Sequence, residues 1–283
     1  MIDLHNSNAD TYIPDGLELE QALSRTTHLA IGAHQDDLEI MAFHGIAACF
    51  GKADQWFTGV VCTNGAGSPR AGIYADYTDE EMQRVRRQEQ RTAAQVGQYA
   101  AMLQLGYPSS AVKDPANTQP DDDLVAILKA VHPHVVYVHN PADKHATHIG
   151  VAACVLRAIR RLPVDERPDA LYGCEVWRDL DWLPDDRKVV LDVSAHENLA
   201  AALVGVFDSQ VVGGKRYDLA TMGRRRANAT YLSSHASDSI EQATYAIDLS
   251  PLLRDDGIDT TAFILQLIDE FRASAQQQLN AVL

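Results

Sequence analysis

Two short stretches hold most of the residues able to do chemistry. Ala33-His34-Gln35-Asp36-Asp37 closes an apolar run that begins at His28, and His139-Asn-Pro-Ala-Asp-Lys-His145-Ala-Thr-His148 follows a second run, Val135 to Val138. His34 and Asp37 stand three apart, so a tight turn into a helix points both at one spot. His145 and His148 share that spacing and share a face in a helical first turn. His34, Asp37 and His148 make a two-histidine, one-carboxylate set. That ligand count fits catalytic zinc, which keeps one position open for water. Asp36 sits beside Asp37. Adjacent carboxylates repel and each prefers a cation nearby, so the simplest arrangement gives one to the metal and leaves the other as a base. The plainer reading of either is a helix cap, a position that favours Asp.

Other polar groups are less pointed. His132 and His134 precede their strand and belong to the far edge of the sheet, so they read as structural or exposed. His139 is at the same edge as the two motifs, and His44 reads as packing or surface. Asn64-Gly-Ala-Gly-Ser-Pro-Arg70 lacks the spacing of a phosphate-binding loop and reads as a loop on the substrate side. Gly213-Gly-Lys-Arg-Tyr217 and Gly223-Arg-Arg-Arg226 are basic islands in an acidic chain. They are open to two readings, a solvated helix face or a contact for an anionic part of a substrate. Trp56, Trp177 and Trp182 could stack on a sugar ring or fill the core. Asn228-Ala-Thr230 is a glycosylation sequon without a secretory context.

These groups need elements to hold them. Apolar runs of strand length alternate with segments of helical period: strands at 28–33, 56–63, 100–105 and 135–138, and helices at 37–50, 78–96, 121–131 and 145–161. Thr78-Asp-Glu-Glu81 has the pattern of a capping box. Beyond 163, strands are expected near 170–177, 188–193 and 244–249, with helices at 195–207, 217–231 and the C-terminus. The alternation predicts an α/β fold, Rossmann-like, with a mostly parallel sheet and helices on both faces. Both motifs then fall at the carboxyl ends of strands, where open parallel sheets hold ligands. No linker divides the chain. The expectation is a single domain over 1–283, with 1–25 an N-terminal extension and about 163–283 a part that extends the sheet and shapes the pocket.

Composition removes several functions. The 283-residue chain has 24 Lys and Arg against 39 Asp and Glu, a net charge of −15. Nucleic-acid backbones and anionic membranes both demand the opposite balance. No apolar run reaches the roughly 18 residues of a membrane helix. The N-terminal stretch is polar, and the four cysteines are scattered without a CxxC, as in a cytoplasmic protein with reduced thiols.

On Ala33-His34-Gln35-Asp36-Asp37 and His145-Ala-Thr-His148, the sequence resembles the LmbE/PIG-L family of zinc-dependent N-deacetylases. Arg86-Arg-Gln-Glu89 with Ala93-Ala94 is similar to the family's intervening R-x-x-E helix. The likeness spans about residues 28–160, and Gln35 stands where the family has proline. The resemblance implies one zinc ion held by His34, Asp37 and His148, with Asp36 as general base and His145 as general acid and oxyanion partner. It also implies that Arg86 approaches the site and that Asp114 meets substrate hydroxyls. The implied substrate is a small N-acetylated sugar conjugate of the N-acetylglucosamine type, and family members often assemble into homo-oligomers. Two rivals stand beside it: a zinc-dependent hydratase or lyase acting on a small carboxylic acid with the same metal, and a non-haem iron oxygenase, whose facial triad His34-x-Asp36 plus a distant histidine would mimic. The second is disfavoured because that class is typically a double-stranded β-helix.

Overall fold

Buried β-branched and apolar runs pair into one sheet in the computed structural model, which describes residues 2–283. In chain order the elements are β1 (Asp10–Tyr12), α1 (Leu19–Ser24), β2 (His28–Gly32), α2 (Asp37–Met41), α3 (Phe43–Cys49), β3 (Phe57–Thr63) and α4 (Asp79–Val96). There follow β4 (Ala101–Tyr107), α5 (Ser109–Lys113), α6 (Gln119–Val131), β5 (Val135–His139), α7 (Ala146–Arg160), β6 (Ala170–Cys174) and β7 (Lys188–Asp192). The chain ends with α8 (Glu197–Gly205), α9 (Asp208–Val211), α10 (Tyr217–Thr230), β8 (Ala243–Asp248), α11 (Pro251–Arg254) and α12 (Thr260–Val282). Among the described residues, eight strands run in the order β1-β4-β3-β2-β5-β6-β8-β7. The central pairings, β4 to β3 to β2 to β5 to β6, are all parallel. The outer ones, β1–β4, β6–β8 and β8–β7, are antiparallel.

Alternate side chains of the central strands feed two cores, because successive residues of a strand point to opposite faces. Leu29, Ile31, Val60, Leu103, Val136 and Val138 pack on one face with Leu124, Ile127 and Leu128 of α6 and Val151 and Val155 of α7. Ala30, Val61, Met102 and Tyr137 pack on the other with Leu38, Phe43 and Ile46 of α2 and α3 and Leu199 and Leu203 of α8. The mostly parallel α/β sheet with helices on both faces is therefore as expected from the sequence. The capping box also forms: Thr78 accepts the Glu81 backbone N–H at 3.2 Å, and Glu81 accepts that of Thr78 at 2.8 Å.

Four local readings change. The helix expected over 37–50 breaks at Ala42, whose φ of −112° and ψ of 19° leave the α region. The polar N-terminus contributes β1, which pairs with the edge of β4. A short α5 follows β4, and β6 stops at Cys174, leaving Trp177 in a loop. All four cysteines are free and buried. No helix among the described residues is long and apolar enough to cross a membrane.

Candidate metal centre and its cavity

From β2 the chain crosses to β3 on one side, while β5 lies on the other side of β2 and leads to β6. A crevice opens at the carboxyl ends of strands where the winding direction reverses in this way. The residues after β2 turn sharply into it. The Asp37 N–H donates to the His34 carbonyl at 3.3 Å, and Asp37 Oδ2 accepts the His34 backbone N–H at 2.6 Å. Between them Asp36 adopts φ 95°, a left-handed conformation uncommon outside glycine. Asp36 is the N-cap residue of α2, yet its side chain makes no capping hydrogen bond. The helix-cap reading of that carboxylate therefore fails, and the group is available for other work.

The second motif arrives from β5. His148 Nε2 lies 3.2 Å from His34 Nδ1 and 3.5 Å from Asp37 Oδ1, and His34 Nδ1 lies 3.3 Å from Asp37 Oδ2. The donor atoms of His34, Asp37 and His148 all fall within 4.8 Å of one another. Tetrahedral zinc with bonds of about 2.0–2.1 Å sets neighbouring ligand atoms about 3.3 Å apart, which these separations match. Protonation agrees with the geometry. His148 Nδ1 sits 3.0 Å from Asp143 Oδ2, an acceptor, so Nδ1 carries the proton and the Nε2 lone pair faces the cluster. Burial lowers the pKa of His34 despite the opposing pull of Asp37, which keeps this imidazole neutral with a free lone pair. Burial alone would raise Asp37, but His148 and His139 hold its carboxyl well below the usual range. Lone pairs converging without a donor between them fit a cation.

Around the cluster, α4 supplies a buried polar layer. Arg86 is 4 % exposed; its guanidinium lies 3.3 Å from Asp36 Oδ2 and donates to the Gln35 carbonyl and to Ser68 Oγ. Burial pushes the Asp36 carboxyl well above its ordinary pKa, with Arg86 pulling the other way. Gln90 Oε1 accepts the Asp36 N–H at 3.3 Å, and the Gln90 amide donates to Glu39 at 2.8 Å. Gln35 reaches the Thr63 carbonyl and Gln104 Oε1, each at 3.2 Å. That packing requires a glycine beside it: a Cβ on Gly65, at φ 72°, would meet Gln35 Oε1 at 2.5 Å.

The break at Ala42 has a structural use. It frees the carbonyls of Glu39 and Ile40 from their helical partners, and Arg225 of α10 donates to them at 2.8 and 3.1 Å. Arg225 is 2 % exposed, and its guanidinium stacks 4.8 Å over Phe43. A residue nearly two hundred positions away thus clamps the helix that begins at Asp37. Hydrogen bonds to a charged donor are each worth about 1.5–3 kcal/mol. Arg225→Met is expected to lower stability by about 2–3 kcal/mol, read as an earlier midpoint in urea unfolding; an unchanged midpoint would show that the clamp contributes nothing.

The cluster opens into a cavity of about 800 Å³. Of the residues singled out from sequence, His34, Asp36, Asp37, Arg86 and His145 line it, and His148 lies buried behind. His145 stacks on His148 with ring centroids 4.5 Å apart, and its ring lies 5.0 Å from that of His34. Asp114 is not brought in. It is exposed, follows α5 in extended backbone and accepts the Ala116 N–H at 2.9 Å in a local turn. Its neighbour Lys113 lines the cavity instead. The Gly-rich loop does face the cavity through Gly65, Gly67, Ser68 and Pro69. His134 is exposed beside Asp169, and His44 bonds the Tyr137 hydroxyl at 2.8 Å. Asn228 is buried with its amide on Glu175 and the Ala243 carbonyl, which closes the sequon to modification. Sequence reasoning missed Asp143, which was detectable as the acid two residues before His145; it left Trp177 and the basic islands that hold Tyr217 and Arg225 open between a substrate-side and a structural role, and all three line the cavity.

Comparison with known proteins follows the same outline. Residues 29–159 match the family model PIG-L: GlcNAc-PI de-N-acetylase. No curated protein matches the sequence. The fold is similar to that of N,N'-diacetylchitobiose deacetylase from Pyrococcus horikoshii, with TM-score 0.62 and 15 % identity over 84 % of this chain and 89 % of that one. It is also similar to a conserved protein from Thermus thermophilus, with TM-score 0.60 and 18 % identity over 82 % of this chain and 99 % of that one. A third likeness is to GalB, the 4-carboxy-2-hydroxymuconate hydratase from Pseudomonas putida, with TM-score 0.60 and 16 % identity over 79 % of this chain and 95 % of that one. At these identities the likeness is one of fold.

Proposed function

We propose, on the match of residues 29–159 to the PIG-L family model, that the protein is a metal-dependent hydrolase that removes the acetyl group from an N-acetylated sugar conjugate of the N-acetylglucosamine type. The observation that carries this reading is the gathering of His34, Asp37 and His148 at the sheet's switch point, with a second carboxylate, Asp36, outside the donor set and one residue away. His34, Asp37 and His148 hold one divalent ion, with zinc the best match to the donor set. Bound there, such an ion polarises an amide carbonyl and makes water acidic enough to attack near neutral pH.

The chain's own residues do the rest. Asp36, held by Arg86 and by the strained turn, takes a proton from the attacking water. Its raised pKa lets it keep that proton and pass it to the departing amine. Burial, with His148 and His34 nearby, pushes His145 down to about 4. We therefore assign His145 as a neutral hydrogen-bond donor to the tetrahedral oxyanion, and leave the proton transfer to Asp36. Removing a donor of that kind typically costs about 10²- to 10³-fold in kcat.

Because a hydratase shares the fold, the reaction class rests on the site. The test is acetate release from N-acetylglucosamine conjugates by protein loaded with zinc. Acetate and free amine are expected in equal amounts, lost on chelation and restored by added zinc. Water addition to an unsaturated acid with no acetate from any amide would reverse the assignment.

A further inference from the structure

The cavity carries a charge opposite to that of the chain. Six cations line it, Arg86, Lys113, Lys144, Lys215, Arg224 and Arg225, against three acids, Asp36, Asp37 and Glu175. Each acid is already committed. Asp36 faces Arg86, Asp37 faces the histidines, and Glu175 accepts from Asn228 and from the backbone N–H groups of Leu180 and Tyr245. Arg86 and Arg225 are likewise used up, one on Asp36 and the Gln35 carbonyl, the other on the freed helix carbonyls. That leaves Lys113, Lys144 and Lys215 without an ion pair among the described residues, and Arg224 with only the field of Glu175, a carboxylate already taken up by its own hydrogen bonds, in a chain with net charge −15. Three of them are half of the chain's six lysines.

One of these cations is deliberately presented. Lys215 leaves a turn that only glycines can make: a Cβ on Gly213 would lie 1.9 Å from the Ser209 carbonyl, and Gly214 has φ 112°. The Lys215 N–H closes the turn on the Gln210 carbonyl at 2.9 Å. The segment is pinned at its base by Glu89, which accepts the Ser209 N–H at 2.7 Å and the Ser209 hydroxyl at 2.6 Å. At its tip the Lys215 ammonium rests 5.1 Å over the Trp177 ring. Trp177 in turn stacks 6.2 Å from His145, and its backbone N–H donates to Asp143, which also holds His148. Arg224 is fixed by donating to the Val176 carbonyl. A lysine on a built turn, steered by an aromatic face that also borders a metal-site histidine, is placed for a ligand rather than for solvent.

We propose that Lys215 and Arg224, with Lys113 and Lys144 at the rim, form an anion subsite of the cavity, and that the substrate is an N-acyl amine bearing a carboxylate or phosphate. This rests on the deacetylase reading for the reaction, while the subsite itself is a binding claim. Charge-assisted contacts of this kind are worth about 10- to 100-fold in affinity, and contacts open to solvent weaken with salt.

The experiment compares methyl N-acetylglucosaminide, its carboxymethyl counterpart and N-acetylglucosamine 1-phosphate on the zinc-loaded protein. Acetate release gives kcat/KM, and calorimetry gives binding of the three corresponding free amines, which needs no turnover. An anionic substrate is expected to be favoured over the neutral one by about 10-fold or more. Which anion leads identifies the source of the charge. Lys215→Ala and Arg224→Gln should each cut that preference about 10-fold, in kcat/KM and in amine binding alike; Lys215→Glu should cut it further. Equal rates and equal binding for all three compounds at about 0.15 M salt, where exposed charges are largely screened beyond about 8 Å, would overturn the subsite and leave the deacetylase standing. Selective binding of the anionic amines that Lys215→Ala abolishes, with no acetate from any compound, would keep the subsite and overturn the reaction.

Discussion

Asp36→Asn should lower kcat for acetate release by about 10³-fold, within the 10²- to 10⁴-fold range of a positioned acid–base group, while the protein keeps one zinc ion per chain. Asparagine is the informative replacement because the backbone at this position is left-handed, at φ 95°. Asn tolerates that conformation better than most residues, whereas Ala adds strain of order 1 kcal/mol and would mix a folding effect into the rate. The change removes the basic oxygen and the charge that faces Arg86, and leaves the metal donors in place. The Asp36 side chain caps nothing, its N–H on Gln90 is backbone, and the cluster beside it consists of other side chains. That guanidinium loses the facing negative charge but keeps its bonds to the Gln35 carbonyl and Ser68 and the field of the Glu89 carboxylate, so its hydrogen bonding survives. Steady-state kinetics with metal analysis of the same preparation reads both quantities. A variant within 10-fold of the parent rate, or one that has lost its zinc, would mean that Asp36 is not the base.

The ease of reading the site from sequence followed from how local each part is. His34, Asp36 and Asp37 are close neighbours in the chain and sit at the end of a strand whose apolar run is unmistakable, so their placement needs only the rule that ligands gather at strand carboxyl ends. His148 needed one further step, the parallel pairing of β2 with β5, which the alternating pattern implies but does not order. The failures are tertiary. Nothing in residues 37–50 announces a break at Ala42; it becomes reasonable only with Arg225 present to satisfy the freed carbonyls, and that partner comes from α10. Asp114 was placed by analogy of position, but α5 ends one residue earlier and turns the carboxylate back onto Ala116. The basic island around Lys215 had two readings from composition. The turn geometry, the Glu89 anchor and the Trp177 ring together make the side chain part of the cavity, and none of these lies within four residues of Lys215 except the two glycines.

Metal binding should separate two overlapping donor sets. His34, Asp37 and His148 form one; His139, Asp143 and His148 form the other, and all of the second are buried. The first is the binding set for three reasons of electron-pair supply. An imidazole nitrogen has one lone pair, in the ring plane, and that of His139 Nε2 is taken by the Ala33 N–H at 2.9 Å. The His139 and His148 rings stack 3.8 Å apart at 18°, so their planes are nearly parallel and do not meet at a common ion, whereas the His34 and His148 rings are tilted by 47°. Asp143 accepts from the N–H groups of Lys144, Arg178 and Trp177 as well as from His148, which leaves it little to give a cation. His34→Ala is therefore expected to weaken zinc binding by more than about 100-fold, beyond the 10- to 100-fold range of groups that only orient a ligand. His139→Phe keeps the stack on His148 and should fall inside that range, with a loss of stability of about 1–3 kcal/mol from the Ala33 N–H left without an acceptor. Competition against a chromophoric chelator measures the first quantity and urea unfolding the second. If His139→Phe loses zinc as completely as His34→Ala does, the ion sits with the second set, and Asp37 is then a carboxylate that steadies histidines rather than one that holds the metal.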